Sequence, residues 1–168
     1  PVHHIDDDGS PHGPRTFVLL NPPLLDAASG ARSSTNSETA SAVAALVDAG
    51  HRTIAFAQSR KGTELIAGDV RRRVNALDNN AVRSYRGGYL ATERREIEEE
   101  LATGKVSAVI ATNALELGID IGGLDACVLS GFPGTIASMW QQAGRAGRTG
   151  QASLTILVAG DDQLDQWL

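Results

Sequence analysis

Short apolar runs alternate along the chain with longer stretches in which apolar residues recur every three or four positions. The short runs are typical of buried strands, and the longer stretches are typical of amphipathic helices. Strands are predicted at 15–21, 53–57, 82–86, 107–113, 125–132 and 153–159. Helices are predicted from the polar loop at 30–38 up to Gly50, at 61–77, at 91–102 and at 135–144, with a short turn of helix after 113 and a short helix at the end.

This alternation determines the expected fold class. Strand–helix–strand units place successive strands parallel, and their right-handed crossovers cover both faces of the sheet. We therefore predict an α/β fold with a doubly wound, mostly parallel sheet. Residues 1–14, "PVHHIDDDGSPHGP", have turn composition and no periodicity, which predicts a linker or irregular arm before a single domain at 15–168.

Some local features follow from residue type. The run "RTFVLLN" (15–21) is predicted to be a buried strand stopped by Pro22 and Pro23. Thr92 is the expected N-cap of the third helix, whose Ile97 and Leu101 should face inward. Any of four hydroxyl residues could cap the first helix: Ser33, Ser34, Thr35 or Ser37.

Charge and composition limit the classes of function. The net charge of −5 opposes an independent nucleic-acid-binding domain, so any such contact should be local or shared with another part of a larger protein. No apolar stretch approaches the roughly 20 residues of a membrane span, and the N-terminus does not resemble a signal peptide. We expect a cytoplasmic protein with no membrane partner.

Metal and thiol chemistry are not expected. His3, His4 and His12 lie near Asp6–Asp8, but their spacing matches no recognised metal site, and a solvated arm explains them better. Cys127 is the one cysteine and lies inside the apolar run "ACVLS", so it should be a buried structural thiol.

Polar residues follow the predicted strands, where ligands gather in a doubly wound sheet. Hydroxyls, amides, guanidiniums and glycine backbone N–H groups of this kind bind phosphate oxygens. Each group taken alone also fits an ordinary helix start or turn. The candidates are Ser59 and Arg60 after the second strand, Gly87 after the third, Thr112, Asn113, Gly118 and Asp120 after the fourth, and Gln141, Arg145 and Arg148 at the end of the next helix.

The stretch "QQAGRAGRTG" (141–150) places Arg145 and Arg148 three residues apart among three glycines. Glycine costs a helix about 1 kcal/mol relative to alanine, and nothing apolar here offsets that cost. One interpretation is a backbone that approaches a ligand closely while two guanidiniums point at it. The other is a frayed helix end whose arginines face the negative end of the helix dipole.

Three motifs in order resemble those of superfamily 2 helicases and translocases: "IAFAQSRKGTE" (54–64), "ATNALELGIDI" (111–121) and "QQAGRAGR" (141–148). The chain resembles the second, C-terminal RecA-like lobe of such a motor. The segments "DDDGSPHGPRTFVLLNPP", "YRGGYLATERREIE" and "PGTIASMWQQAGRAGR" are similar to the MrfA/SftH group of bacterial DNA-repair helicases, relatives of the fourth RecQ helicase. Members of that group move 3′ to 5′ on DNA and carry a zinc-binding cysteine cluster, for which this chain has too few cysteines.

The resemblance implies a role for each candidate. Arg145 and Arg148 would be arginine fingers on the γ-phosphate of ATP, with Gln141 linking nucleotide state to lobe closure. Asp120 would lie near the ribose hydroxyls, and Gly118 would allow close approach. The remaining candidates would hold the phosphates of single-stranded DNA along the other edge of the lobe: Ser59, Arg60, Gly87, Thr112 and Asn113.

The sequence contains no G-x-x-x-x-G-K-[ST] phosphate loop and no acidic magnesium box. ATP and Mg²⁺ would be held mainly by a first RecA-like lobe of the same polypeptide, and this chain alone should not hydrolyse ATP. Three alternatives stay open: the corresponding lobe of an RNA helicase, a non-catalytic RecA-like interaction module, and a Rossmann enzyme. The last lacks support because no G-x-G-x-x-G follows any strand.

Overall fold

The computed structural model describes residues 13–74, 81–85, 90–112, 123–147, 150–162 and 165–167. Six parallel strands form one sheet in the order β1-β8-β7-β4-β6-β5. The strands are β1 Arg15–Leu20, β4 Thr53–Phe56, β5 Val82–Tyr85, β6 Ala108–Ala111, β7 Ala126–Ser130 and β8 Ser153–Val158, and a separate antiparallel pair joins β2 Leu24–Asp26 to β3 Ala31–Arg32. The helices are α1 Thr35–Asp48, α2 Arg60–Arg73, α3 Ala91–Ala102 and α4 Ile136–Ala143, and a short 3-10 helix spans Asp165–Trp167.

Helices cover both faces of the sheet, as predicted for a doubly wound fold. One apolar core lies under α1 and α2 and includes Val43 and Ile66 together with Ala55 of β4. The other lies under α3 and contains Ile54 and Leu101. Adjacent residues of β4 therefore belong to opposite cores, because successive side chains of a strand point to opposite faces. All four residues of β4 are buried, which explains the continuous apolar run in the sequence.

Two local predictions are wrong. β1 is an edge strand that pairs with β8 and is largely exposed, whereas a buried strand was expected from its apolar sequence. Thr92 lies inside α3, whose N-cap is Leu90. The Leu90 N–H donates to Glu93 Oε2 at 2.8 Å, so a carboxylate reaching back from the first turn satisfies the helix start without a hydroxyl cap.

The predicted polar loop after β1 contains more order than expected. Part of it forms the β2–β3 hairpin, in which Asp26 accepts hydrogen bonds from Ala28 N (2.9 Å) and Ser29 Oγ (2.7 Å). These bonds hold the pKa of the Asp26 carboxyl below its usual range. The N-cap of α1 is Ser34, one of the four hydroxyl candidates, but its side chain makes no capping hydrogen bond.

Cys127 is fully buried in β7, as predicted. Burial raises the pKa of its thiol, because an apolar core disfavours the thiolate. Its Sγ donates a hydrogen bond to the Gln142 backbone oxygen at 3.3 Å and so ties the last turn of α4 to the sheet. This position makes Cys127 a packing residue rather than a nucleophile.

Candidate functional site

The carboxyl ends of the six parallel strands form one edge of the sheet, which we call the carboxyl edge. The next strands in the chain after β4, β5 and β6, lie on one side of β4 in the sheet, and β7 and β8 lie on its other side. A groove lies at the carboxyl end of β4, where the direction of the strand order reverses. The N-termini of α1 and α2 also point to this edge. The groove is lined by the end of β7, by both helix starts and by the segment after β8: Thr35, Asn36, Gln58, Ser59, Lys61, Gly62, Leu65, Ser130, Gly131, Gly160, Asp161 and Asp162.

Ser59 and Arg60 lie together at this edge. Ser59 is the N-cap of α2, and its Oγ accepts a hydrogen bond from Gly62 N at 3.0 Å. Arg60 is exposed and is the first residue of α2. A cation in the first turn is opposed by the positive end of the helix dipole, so helix stability does not account for Arg60. An anion placed here would be favoured by both the guanidinium and the dipole.

Thr112 lies at the same edge, directly after β6, and its backbone N–H donates to Tyr85 O at 3.3 Å. It is half-buried, at the far side of β4 from the groove. The structure therefore places three of the five candidate phosphate contacts on one edge: Ser59, Arg60 and Thr112. Gly87 and Asn113 lie outside the described residues.

The groove also carries negative charge. Asp161 and Asp162 line it together with Lys61, so the groove carries charges of both signs. Within the described ranges, no group of three or more His, Cys, Asp or Glu residues is placed to hold a metal ion. His3, His4 and His12 lie outside those ranges.

Helix α4 crosses the sheet from the carboxyl edge to the opposite, amino edge. It begins after Thr135, whose Oγ1 accepts a hydrogen bond from Ser138 N at 3.0 Å. Eight residues at 1.5 Å each give a length of about 12 Å. Beyond its end, Gly147 N donates to the oxygen of Leu124, which precedes β7. The described part of the glycine-rich arginine stretch therefore reaches the amino edge at Gly147.

The candidate nucleotide-facing residues are only partly described. Gln141 is exposed on α4, whereas Arg145 is buried, with 8% of its surface exposed. Within this lobe Arg145 therefore packs against the protein, and its contact with ATP stays a prediction. Arg148, Gly118 and Asp120 lie outside the described residues. Among the described candidates, Ser59, Arg60 and Thr112 lie at the carboxyl edge, whereas Arg145 lies beyond the end of α4, toward the amino edge.

Comparison with known proteins identifies the family. The model of the helicase conserved C-terminal domain matches residues 38–150, which is most of the chain and includes all three motifs. The chain belongs to this helicase C-terminal domain family. The predicted resemblance to the RecA-like C-terminal lobe of superfamily 2 helicases is confirmed.

Several members of the family are closely similar to this helicase C-terminal domain. YprA of Bacillus subtilis, an uncharacterized ATP-dependent helicase, is 43% identical over 100% of this chain and 23% of its own length. The ATP-dependent helicase HRQ1 of Saccharomyces cerevisiae is 46% identical over 96% of this chain and 15% of its own length. The DUF1998 helicase MrfA, solved bound to DNA and AMPPNP, superposes with a TM-score of 0.89 at 44% identity, covering 97% of this chain and 23% of MrfA.

These relatives are ATP-dependent helicases, and the chain spans less than a quarter of the length of each. The MrfA match agrees with the predicted similarity to the MrfA/SftH group. It also confirms the α/β fold as that of a RecA-like helicase lobe.

Two residues near the groove of this helicase domain, Gln58 and Asp165, are not among the predicted site residues. Gln58 Nε2 donates to Phe132 O at 3.2 Å, and Asp165 Oδ2 accepts from Phe132 N at 3.0 Å. Asp165 lies in the terminal 3-10 helix, beyond the last motif. No spacing in the sequence relates Gln58, Phe132 and Asp165, although Gln58 directly follows the predicted strand at 53–57 and belongs to the same run of polar residues as Ser59 and Arg60.

Proposed function

We propose that this chain is the second motor lobe of an ATP-dependent 3′–5′ DNA helicase or translocase. The observation that carries the proposal is the close match, over nearly the whole chain, to a helicase solved with DNA and a nucleotide analogue. The positions of the described candidates support it, because Ser59 and Arg60 lie at one edge of the sheet and Arg145 lies toward the other, and a motor lobe must meet nucleic acid and nucleotide at different surfaces. DNA rather than RNA is favoured by the same match.

At the amino edge, this lobe would complete an ATP site whose phosphate loop and Mg²⁺ belong to the first RecA-like lobe of the same polypeptide. Arg148 would stabilise the negative charge that spreads over the γ-phosphate during transfer. Arg145, which is buried, would support the backbone of this stretch as well as contribute charge. Gln141, exposed on α4, would link nucleotide state to lobe closure, and Asp120 with Gly118 would contact the ribose.

At the carboxyl edge, Ser59, Arg60, Gly87, Thr112 and Asn113 would hold the phosphates of a single strand. Such contacts do not read the base sequence, so binding should be non-specific and sensitive to salt. Asp161 and Asp162 would keep phosphates out of the part of the groove that they line. We also propose that the protein is cytoplasmic, associates with the nucleoid and acts in DNA repair.

The first experiment compares the 168-residue chain with a longer protein that adds the first lobe. The chain alone should unfold cooperatively but show ATP turnover no greater than buffer, since its sequence has no phosphate loop. The two-lobed protein should hydrolyse ATP faster with single-stranded DNA. Robust DNA-stimulated turnover by the chain alone would contradict the proposal. Equal stimulation of the two-lobed protein by RNA and by DNA would contradict the choice of DNA as the substrate.

Arg60→Ala and Thr112→Ala in the two-lobed protein should weaken binding of single-stranded DNA more than binding of ATP. Loss of the Arg60 charge should lower the slope of log K against log salt by about 0.7, because fewer counterions are released, whereas Thr112→Ala removes no charge and should weaken binding at an unchanged slope. Fluorescence anisotropy with a labelled oligonucleotide over a salt series measures this slope.

Arg72→Ala is the matched control for Arg60→Ala. Arg72 lies near the other end of α2, its side chain is 75% exposed, and its removal changes the net charge equally. The control should leave the salt slope unchanged. Weaker ATP binding with unchanged DNA affinity in Arg60→Ala would mean that the two edges have been assigned the wrong way round.

A further inference from the structure

The loop between β7 and α4, residues 131–135, is held at the carboxyl edge from three sides. Gly131 N donates to Val158 O of β8 at 2.8 Å. Phe132 N donates to Asp165 Oδ2 of the terminal 3-10 helix at 3.0 Å. Phe132 O accepts from Gln58 Nε2 at 3.2 Å. Both backbone polar groups of Phe132 are therefore bonded to side chains from distant parts of the chain.

Asp165, which accepts the hydrogen bond from Phe132 N, is itself held in place by several hydrogen bonds. Asp165 is buried, with 4% of its surface exposed, and its Oδ2 also accepts from Gly160 N. Its own N–H donates to Asp162 Oδ1 at 3.0 Å. Gln166, next in the chain, bonds to Gly160 O at 2.7 Å. Several bonds thus tie the 3-10 helix to the ends of β7 and β8.

The Gln58 side chain is exposed, but its amide packs closely against Gly131. A Cβ at Gly131 would lie 2.4 Å from Gln58 Nε2 and 3.2 Å from its Cδ, so the amide lies directly against the glycine backbone. Gly131 also has φ +84, a conformation that other residues rarely adopt. The absence of a side chain at 131 is what lets the Gln58 amide reach Phe132 O.

Gln58 therefore connects the start of α2, which belongs to the proposed DNA-binding edge, to the start of α4, which leads to the proposed nucleotide edge. It precedes Ser59 and Arg60, which begin α2 at the proposed DNA-binding edge. The loop that it contacts begins α4, which ends near Arg145 at the proposed nucleotide edge. A helix of about 12 Å is stiff enough to carry a shift of its first turn to its last, where the Cys127–Gln142 hydrogen bond holds it to the sheet.

We propose that Gln58 is a positioning residue that couples DNA binding at the carboxyl edge to ATP turnover at the amino edge. This inference rests on the proposed function. Phosphate contact at Ser59 and Arg60 adjusts the backbone at the end of β4, and the Gln58 amide carries that adjustment to Phe132 O and to the start of α4. Gln58 itself touches neither ATP nor the reacting atoms.

The test is Gln58→Met in the two-lobed protein, since methionine keeps the length of the side chain and removes the amide. The stimulation of ATP turnover by single-stranded DNA should fall about 3- to 10-fold, the range expected when one neutral hydrogen bond transmits a coupling. ATP turnover without DNA and DNA affinity without nucleotide should each stay within about twofold of the wild-type values. The melting temperature should be unchanged within the error of the melting curve.

Gln166→Met is the matched control. It is the same chemical change at the same edge, and it also removes an amide donor from a backbone oxygen, here that of Gly160. Gln166 lies next to Asp165 in the terminal 3-10 helix and makes no direct hydrogen bond to the described loop that begins α4, so DNA stimulation should be unchanged if the coupling runs through Gln58. An equal loss of stimulation in both variants would overturn the inference, because it would reflect a general loosening of the edge.

Gly131→Ala provides an independent variant. Its Cβ would displace the Gln58 amide, so stimulation should fall by a similar factor. Combined with Gln58→Met it should cause little further loss, because both changes break the same link. If DNA stimulates ATP turnover equally in the wild-type protein and in the Gln58→Met variant, this inference is wrong and the proposed function stands. A two-lobed wild type that DNA does not stimulate would overturn the proposed function, and the inference with it.

Discussion

Replacement of Arg148 by alanine in the two-lobed protein should lower DNA-stimulated ATP turnover by about three orders of magnitude or more. The fold and most of the ATP affinity should be kept, because the first lobe supplies most ground-state phosphate contacts. An arginine finger stabilises charge that develops only in the transition state, so its loss reduces the rate rather than the binding. Steady-state ATP turnover beside a thermal melting curve measures both effects on one sample.

The competing explanation of Arg148 is a helix-end arginine that faces the helix dipole. Such a contact contributes about 0.3–1 kcal/mol to stability and nothing to catalysis. A variant that melts early but turns over normally would support this explanation. Arg148→Lys is the informative control, since lysine keeps the charge but lacks the planar fork of donors, and it should restore little of the rate.

Arg145→Ala should behave differently from Arg148→Ala. Arg145 is buried in the lobe, so its removal should lower the melting temperature as well as the rate. The comparison therefore separates a guanidinium that stabilises the stretch from one that acts on the nucleotide.

The second large effect is expected from Gly147→Ala in the 168-residue chain. Gly147 has φ +74, and a Cβ there would lie 2.6 Å from Ser153 Cβ and 3.1 Å from Gln151 O. A left-handed conformation costs an alanine about 1–2 kcal/mol. The overlap adds about 1–3 kcal/mol, because a backbone oxygen and a Cβ cannot move aside as a flexible side chain can. Urea unfolding should show a loss of stability of this combined size.

Gly150→Ala isolates the conformational part of that cost. Gly150 has φ +79, but nothing lies within 4 Å of a Cβ built there. Its alanine variant should lose only about 1–2 kcal/mol. Equal losses in the two variants would show that steric overlap at Gly147 is relieved by a shift of the chain, and that the close approach of this segment to β8 is not tightly fixed.

The glycines of "QQAGRAGRTG" now have a partly structural explanation. Gly147 N donates to Leu124 O, and the residue sits against the start of β8 where no side chain fits. The sequence suggested that glycines allowed close approach to a ligand. At Gly147, the close approach in the structure is to the protein's own sheet, which fixes the backbone from which Arg148 continues.

The sequence determined the order of elements and the family. Buried strands such as Thr53–Phe56 and Ala126–Ser130 are short runs of mainly apolar residues, and this local pattern can be recognised without a structure. Three motifs in order predicted a helicase C-terminal lobe, which the family match confirms. The roles of the individual site residues stay predictions, and half of them, including Arg148 and Asp120, lie outside the described residues.

The tertiary structure alone decided which distant residues meet. Strand order β1-β8-β7-β4-β6-β5 places β7 beside β4, so that Gln58 contacts Phe132, 74 positions later. The same order leaves β1 at an edge and exposes an apolar strand that the sequence predicted to be buried. Periodicity reports which side of an element is apolar, whereas the choice of neighbours depends on crossovers between elements far apart in the chain. For that reason the two edges, and the link between them through Gln58, became visible only in the folded molecule.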